Sequence, residues 1–160
     1  MTTPPMPDTR EPITEAPPPD NTIFAQWQGD HRFDIGRERG PVVRVDGDAA
    51  TGPSPVDTLL GALASCAAVD VVDILAKRRT PVATLEVKVA ARRANSTPRR
   101  LTHVQLAFRI TGEGIEREHA ERAIDLSINK YCSVRDSLDP KLPIEWTLAL
   151  NDSPMLRTTG

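Results

Sequence analysis

The sequence predicts an α+β fold, with antiparallel sheets packed around one long central helix. Three observations carry this reading. Short segments of alternating apolar residues flank the middle of the chain, Ser54–Arg79 reads as a long apolar helix, and a second amphipathic helix precedes a last strand. The order strand, strand, helix, strand, strand, helix, strand suits hairpins on either side of a helix, and no internal repeat is visible.

The bulk composition narrows the class. A chain of 160 residues suits one domain with a tail, and 39% hydrophobic residues supply one modest core. A net charge of −2 leaves no electrostatic footprint for nucleic acid or an anionic membrane. No run of about 18 apolar residues stands out, so no membrane-spanning helix is expected. The first twenty residues lack a basic stretch followed by an apolar one, which argues against a secretory signal and for a cytoplasmic location.

Residues 1–20 hold seven of the fifteen prolines and almost no large apolar side chain. Such a segment cannot bury enough surface to offset its ordering entropy and reads as a disordered tail. The domain is placed at 21–152, with a polar tail at 153–160.

Within the domain, Thr22–Gln28 alternates as a strand. Asp34–Gly40 is a polar stretch carrying Arg37 and Arg39. Pro41–Asp46 is a second short strand, Asp46–Asp48 a turn and Gly52–Pro55 a loop. The long helix opens on Ser54 as N-cap and Pro55 at its first position, with Asp57 three residues after the serine as in a capping box. Leu59, Leu60, Leu63, Cys66, Val69 and Ile74 recur at helical spacing, and Lys77, Arg78 and Arg79 crowd the end where cations suit the dipole. A helix this apolar around its circumference is normally central and buried. Leu85, Val87 and Val89 face one side of the next strand. Val104, Leu106, Phe108 and Ile110 face inward from the one after it. Ile115–Val134 reads as a helix with Ala120, Ile124, Ile128 and Tyr131 as its apolar stripe, and Leu142–Leu150 as a final strand.

The chemistry-bearing residues are Cys66, in the middle of the long helix among Ala64, Ser65, Ala67 and Ala68, and Cys132, near the end of the second helix. Two cysteines without an export signal suggest redox chemistry rather than a structural disulfide framework. No cysteine or histidine spacing suits a metal, His31, His103 and His119 being scattered, and no cofactor is expected. Taken singly, either thiol packs as a small hydrophobe. Two packed helices could instead bring both sulfurs within disulfide reach. A thiolate beside a cation could then reduce a peroxide through a sulfenic acid, which the second thiol would resolve. Asp70 shares a face with Cys66 and would disfavour its thiolate unless a cation such as Lys130 or Arg135 held the carboxylate.

The stretch GPSPVDTLLGALASCAAVDVVDILAKRR resembles the signature helix of the OsmC/Ohr family, and RAIDLSINKYCSV resembles its second cysteine segment. The Asp-Val-Val-Asp-Ile-Leu run after Cys66 and the Lys-Tyr-Cys-Ser-Val run look most like the YhfA-like branch. The similarity covers about Thr22–Asn151. It implies an OsmC-like fold, an intertwined homodimer with sites at the subunit interface, organic hydroperoxide substrates, and regeneration by a dithiol such as lipoamide. Cys66 matches the peroxidatic position and Cys132 the resolving one. Arg37 or Arg39 would activate the thiol, and Leu60, Leu63 and Phe24 could line an apolar pocket. The family's peroxidases place a glutamate directly after the helix-starting proline to orient that arginine. Here Val56 takes that place and Asp57 follows, about 100° further around the helix. The competing readings are a dimer that binds a small lipophilic molecule or senses redox state without catalysis, and a thiol enzyme with another substrate.

Overall fold

A computed structural model describes residues 18–152 and the backbone of 156–158. Residues 1–17, most of the expected tail, lie outside the described residues. A three-stranded antiparallel sheet comes first, from β1 (Phe24–Trp27), β2 (Arg32–Gly36) and β3 (Val42–Asp46), in that order across the sheet. Helix α1 (Pro55–Lys77) follows, then the long hairpin of β4 (Thr84–Arg93) and β5 (Leu101–Thr111). Helix α2 (Arg117–Leu126), a single π turn (Ser127–Tyr131) and the short α3 (Ser133–Asp136) lead to β6 (Ile144–Leu150) and β7 (Leu156–Thr158). The second sheet has the order β4-β5-β6-β7.

Among the strands, three features differ from the sequence reading. The polar stretch at Asp34–Gly40 begins inside β2, because Phe33 and Ile35 alternate with Asp34, and Asp34 is matched by Arg44 directly across the β2–β3 ladder. The second sheet is mixed rather than purely antiparallel. β5 and β6 run parallel, with Val104 opposite Ile144 and Ile110 opposite Leu150, an arrangement that needs a long crossover such as the helical segment between them. A strand also forms at Leu156–Thr158, within the expected tail, on the free edge of β6. Asn151 and Asp152 turn the chain towards it with φ of 49° and 64°, a region these two residues tolerate well.

The capping box at the start of α1 is present as expected, with Ser54 and Asp57 bonded reciprocally. One stripe of the helix, Leu63, Ala67, Val71 and Leu75, is fully buried. It shares a single core with Val104, Leu106, Phe108 and Ile110 of β5, Trp146 and Leu148 of β6, and Ala120, Ala123 and Ile124 of α2. By length and apolarity alone α1 could cross a bilayer, with a mean hydropathy of 2.0, but this stripe makes it the central helix of the fold. The opposite side of α1 is open within one chain, Val69 being 60% exposed, and so are Phe24, Trp27 and Val43 of the first sheet.

The junction between β3 and α1 is fixed by Asp46, which is buried. Its carboxylate accepts from Asp48 N at 3.0 Å, Thr51 N at 2.9 Å and Thr51 Oγ1 at 2.8 Å. These bonds, from Asp48 first and then Thr51, stabilise the charged form and lower the pKa from 3.8 to about 2. The folded-state value lies below the unfolded one, so this stabilisation is complete above about pH 4 and is lost as the pH falls through about 2. Asp46→Asn is therefore expected to lower the melting temperature at pH 7 and to flatten its dependence on pH between 4 and 2. Thermal melts across that range check this, and an Asp46→Asn variant with the wild-type acid profile would contradict it.

Candidate functional site

Cys66 sits three turns into α1, half-buried and packed against the core. Cys132 is 3% exposed and does not lie within a helix. The expected helix across Ile115–Val134 is interrupted by the π turn, in which Cys132 N donates to the Ser127 carbonyl at 2.8 Å across five residues. The extra residue in that turn rotates the chain. Tyr131, expected in the apolar stripe, is 51% exposed, and Cys132 takes the inward place. Cys132 then adopts an extended conformation and starts α3, its Sγ accepting from Arg135 N at 3.4 Å.

The two thiols, far apart in sequence, are near enough for Cys66 to raise the pKa of Cys132. Burial pushes the Cys132 thiol up from 9.0 to about 11, the bond from Arg135 N opposes this, and the neighbouring Cys66 adds to it. Cys132 is thus held as the neutral thiol in reach of Cys66.

The carboxylate that shares a helix face with Cys66 is engaged by a group the sequence reading missed. Asp70 Oδ2 accepts from Ser127 Oγ at 3.0 Å. The expected cations are occupied elsewhere. The Arg135 guanidinium donates to the carbonyls of Asp139, Pro140 and Leu142 at 3.3–3.4 Å, and Lys130 Nζ lies 5.3 Å from the centroid of the Tyr131 ring. The available signal was a serine at position 127 on the same stripe as Ala120, Ile124 and Ile128, where a polar side chain needs a buried partner.

The remaining candidates lie apart from the thiols within one chain. Arg37 donates to Asn21 Oδ1 at 3.0 Å, and Arg39 sits in the β2–β3 turn with φ of 58°. Both line a groove on the first sheet with Phe24 and Val42, and neither cysteine reaches that groove. Arg44 is committed to Asp34. Asp57 is fixed by its cap: its Oδ2 accepts from Ser54 Oγ at 2.6 Å and Ser54 N at 3.0 Å, which lowers its pKa and keeps it ionised. Nine residues of helix, about 13 Å, separate it from Cys66. Leu63 is sealed in the core, Leu60 packs partly against it, and Phe24 is exposed on β1, so the three do not form one pocket in a single chain. His103 is half-buried, 3.4 Å from Glu145. Among the described residues no cluster of three His, Cys, Asp or Glu side chains could hold a metal ion.

The chain resembles known proteins over the region that carries this geometry. The family model described as OsmC-like protein matches residues 46–147, from the end of β3 into β6 and across both cysteines. Protein YhfA of Escherichia coli K12 is 40% identical over 106 residues, 66% of this chain and 79% of that protein. Among solved structures, an OsmC-like protein from Mycoplasma pneumoniae superposes with a TM-score of 0.69 at 20% identity, covering 81% of this chain and 95% of the other. The organic hydroperoxide resistance protein OhrB of Bacillus subtilis does so with a TM-score of 0.55 at 12% identity, covering 80% and 96%. Those two likenesses are of fold. The family match and the similarity to YhfA go further: the chain belongs to the OsmC-like family.

Proposed function

We propose that this protein is a cytoplasmic, homodimeric thiol peroxidase that reduces organic hydroperoxides through Cys66 and Cys132. The observation that carries the reading is the pairing of a half-buried thiol on α1 with a buried, neutral one at its side. The Cys66 thiolate attacks the peroxide and the O–O bond breaks. One oxygen stays on sulfur as a sulfenic acid, and the alkoxide leaves and takes up a proton. The Cys132 sulfur then displaces that oxygen, forming the disulfide and releasing water. A dithiol of the lipoamide type reopens the disulfide by exchange and is itself oxidised. The name of the Bacillus subtilis structural neighbour, an organic hydroperoxide resistance protein, supports this substrate class.

The apolar surface left open on α1 and on the first sheet supports the dimer, since exposed patches of this kind mark interfaces. A second copy would also bring Arg37 or Arg39 to the thiols as the activating cation. Asp57, ionised at the helix start, is the group proposed to orient that arginine. One observation favours the second reading, a dimer that binds a lipophilic ligand without catalysis: Val56 stands where the family's peroxidases carry a glutamate.

In the native reduced protein, one equivalent of cumene hydroperoxide is expected to remove both free thiols within seconds, faster than hydrogen peroxide does, with recovery on adding a dithiol. Thiols that stay intact for many minutes would overturn the enzyme reading in favour of the ligand-binding dimer. Cys66→Ser is expected to abolish turnover, whereas Cys132→Ser should reduce one peroxide per chain and stall at sulfenic acid. Mass spectrometry of the modified chain distinguishes the two.

The raised Cys132 pKa has a consequence for stability. Its folded value, about 11, exceeds the unfolded 9.0, so the stabilisation it gives is complete below about pH 9 and is lost as the pH rises through about 11. Reduced wild type is expected to lose more stability between pH 9 and 11 than Cys132→Ala, as thermal melts would show. For the dimer, Val69→Lys places a charge on the open side of α1 and is expected to give a folded monomer by sedimentation. A Val69→Lys protein with the mass of the wild-type dimer would remove this face from the interface.

A further inference from the structure

Ser127 is fully buried, and a hydroxyl in that position is costly unless it is bonded. Its Oγ lies 3.0 Å from the Ala67 carbonyl oxygen and 3.0 Å from Asp70 Oδ2. Both acceptors belong to the turn of α1 that follows Cys66. The hydroxyl has one proton to donate, and the carboxylate is the stronger acceptor. On its main chain, the Ser127 carbonyl accepts from Cys132 N at 2.8 Å and closes the π turn. One residue therefore grips the cysteine helix with its side chain and the other cysteine with its backbone. π turns are uncommon and concentrate at functional sites, and here the turn directly precedes the buried thiol.

We infer that Ser127, held by Asp70, is the positioning residue that sets Cys132 against Cys66, and that it governs disulfide closure rather than attack on the oxidant. The inference deepens the thiol-peroxidase reading and rests on it for the order of steps. In the step it governs, the Cys66–S–OH and Cys132–SH groups form an S–S bond, the S–O bond breaks and water leaves. Cys132 is reluctant to ionise, so closure depends on its being held in place, and a small displacement is enough to slow such a step. A serine that served only to satisfy the core would affect stability and leave the thiol pair unchanged.

The test compares full-length wild type with Ser127→Ala and Asp70→Asn. Equilibration with mixtures of reduced and oxidised dithiothreitol reads the effective concentration of the Cys66–Cys132 pair without any peroxide. Ser127→Ala is expected to lower it about fivefold, the factor that corresponds to one lost net hydrogen bond. Asp70→Asn, which keeps an oxygen acceptor, should lower it less. In rapid mixing with cumene hydroperoxide, Ser127→Ala should form sulfenic acid at the wild-type rate and hold it about fivefold longer, as dimedone trapping reads. An unchanged dithiothreitol ratio in Ser127→Ala overturns the inference whether or not peroxide reacts. A wild type that closes its disulfide in dithiothreitol but ignores peroxide overturns the peroxidase reading alone, and the ratio still decides the role of Ser127. If Ser127→Ala does not fold, Asp70→Ala replaces it, and a wild-type ratio there overturns the inference equally.

Discussion

Burial of one stripe of α1 is the constraint on which the rest of the molecule depends. Leu63, Ala67, Val71 and Leu75 are removed from water completely, and full burial of each of the larger ones is worth about 1.5–3 kcal/mol. A single buried hydrogen bond contributes about 1 kcal/mol net. The stripe therefore fixes where the helix lies, and polar contacts such as those of Ser127 act within a frame already set. Because Cys66 adjoins that stripe, packing the helix on the sheet also determines how far the thiol stands from the core. It also presents the Ala67 carbonyl and Asp70 to α2 and the π turn.

The two cysteines owe their difference to where that packing leaves them. Cys66 remains partly open on an uninterrupted helix, among small side chains. Cys132 is delivered into the core by a turn with one residue more than an α-helix would use, and desolvation keeps it neutral. Proximity and neutrality have opposite effects on its reactivity. In the proposed cycle, neutrality would keep it quiet towards small oxidants, and proximity would make it effective against a sulfenic acid formed on Cys66. That division of labour suits a peroxidatic and a resolving thiol better than two cysteines serving only as core filler.

The single chain leaves a large part of its apolar surface open, and the arrangement is directional. The four-stranded sheet covers one side of α1, whereas Val69 and Val72 point the other way, and the first sheet carries Phe24, Trp27 and Val43 outward. Arg37 and Arg39 stand on that same outlying sheet, away from both thiols of their own chain. If the open surfaces meet in a second copy, the cation that a thiol peroxidase needs would come from the partner, and assembly and activation would be one event.

The sequence by itself determined the element types and most of their inward faces. Local periodicity and capping chemistry act over a few residues, so Ser54, Pro55 and Asp57 marked the start of α1, and Val104, Leu106, Phe108 and Ile110 declared the buried side of β5. The signature around Cys66 was legible for the same reason. Only tertiary structure decided what depends on residues distant in the chain. The pairing of Asp34 with Arg44 made a strand of a stretch that read as polar. Packing placed β6 parallel to β5, which the long helical crossover permits. The capture of the Ser127 hydroxyl by α1 accompanied a π turn in place of a continuous helix, and so brought Cys132 rather than Tyr131 to face inward. A hydrogen bond between residues 57 positions apart leaves no periodic trace in a sequence, because its energy exists only once packing has brought the two helices together.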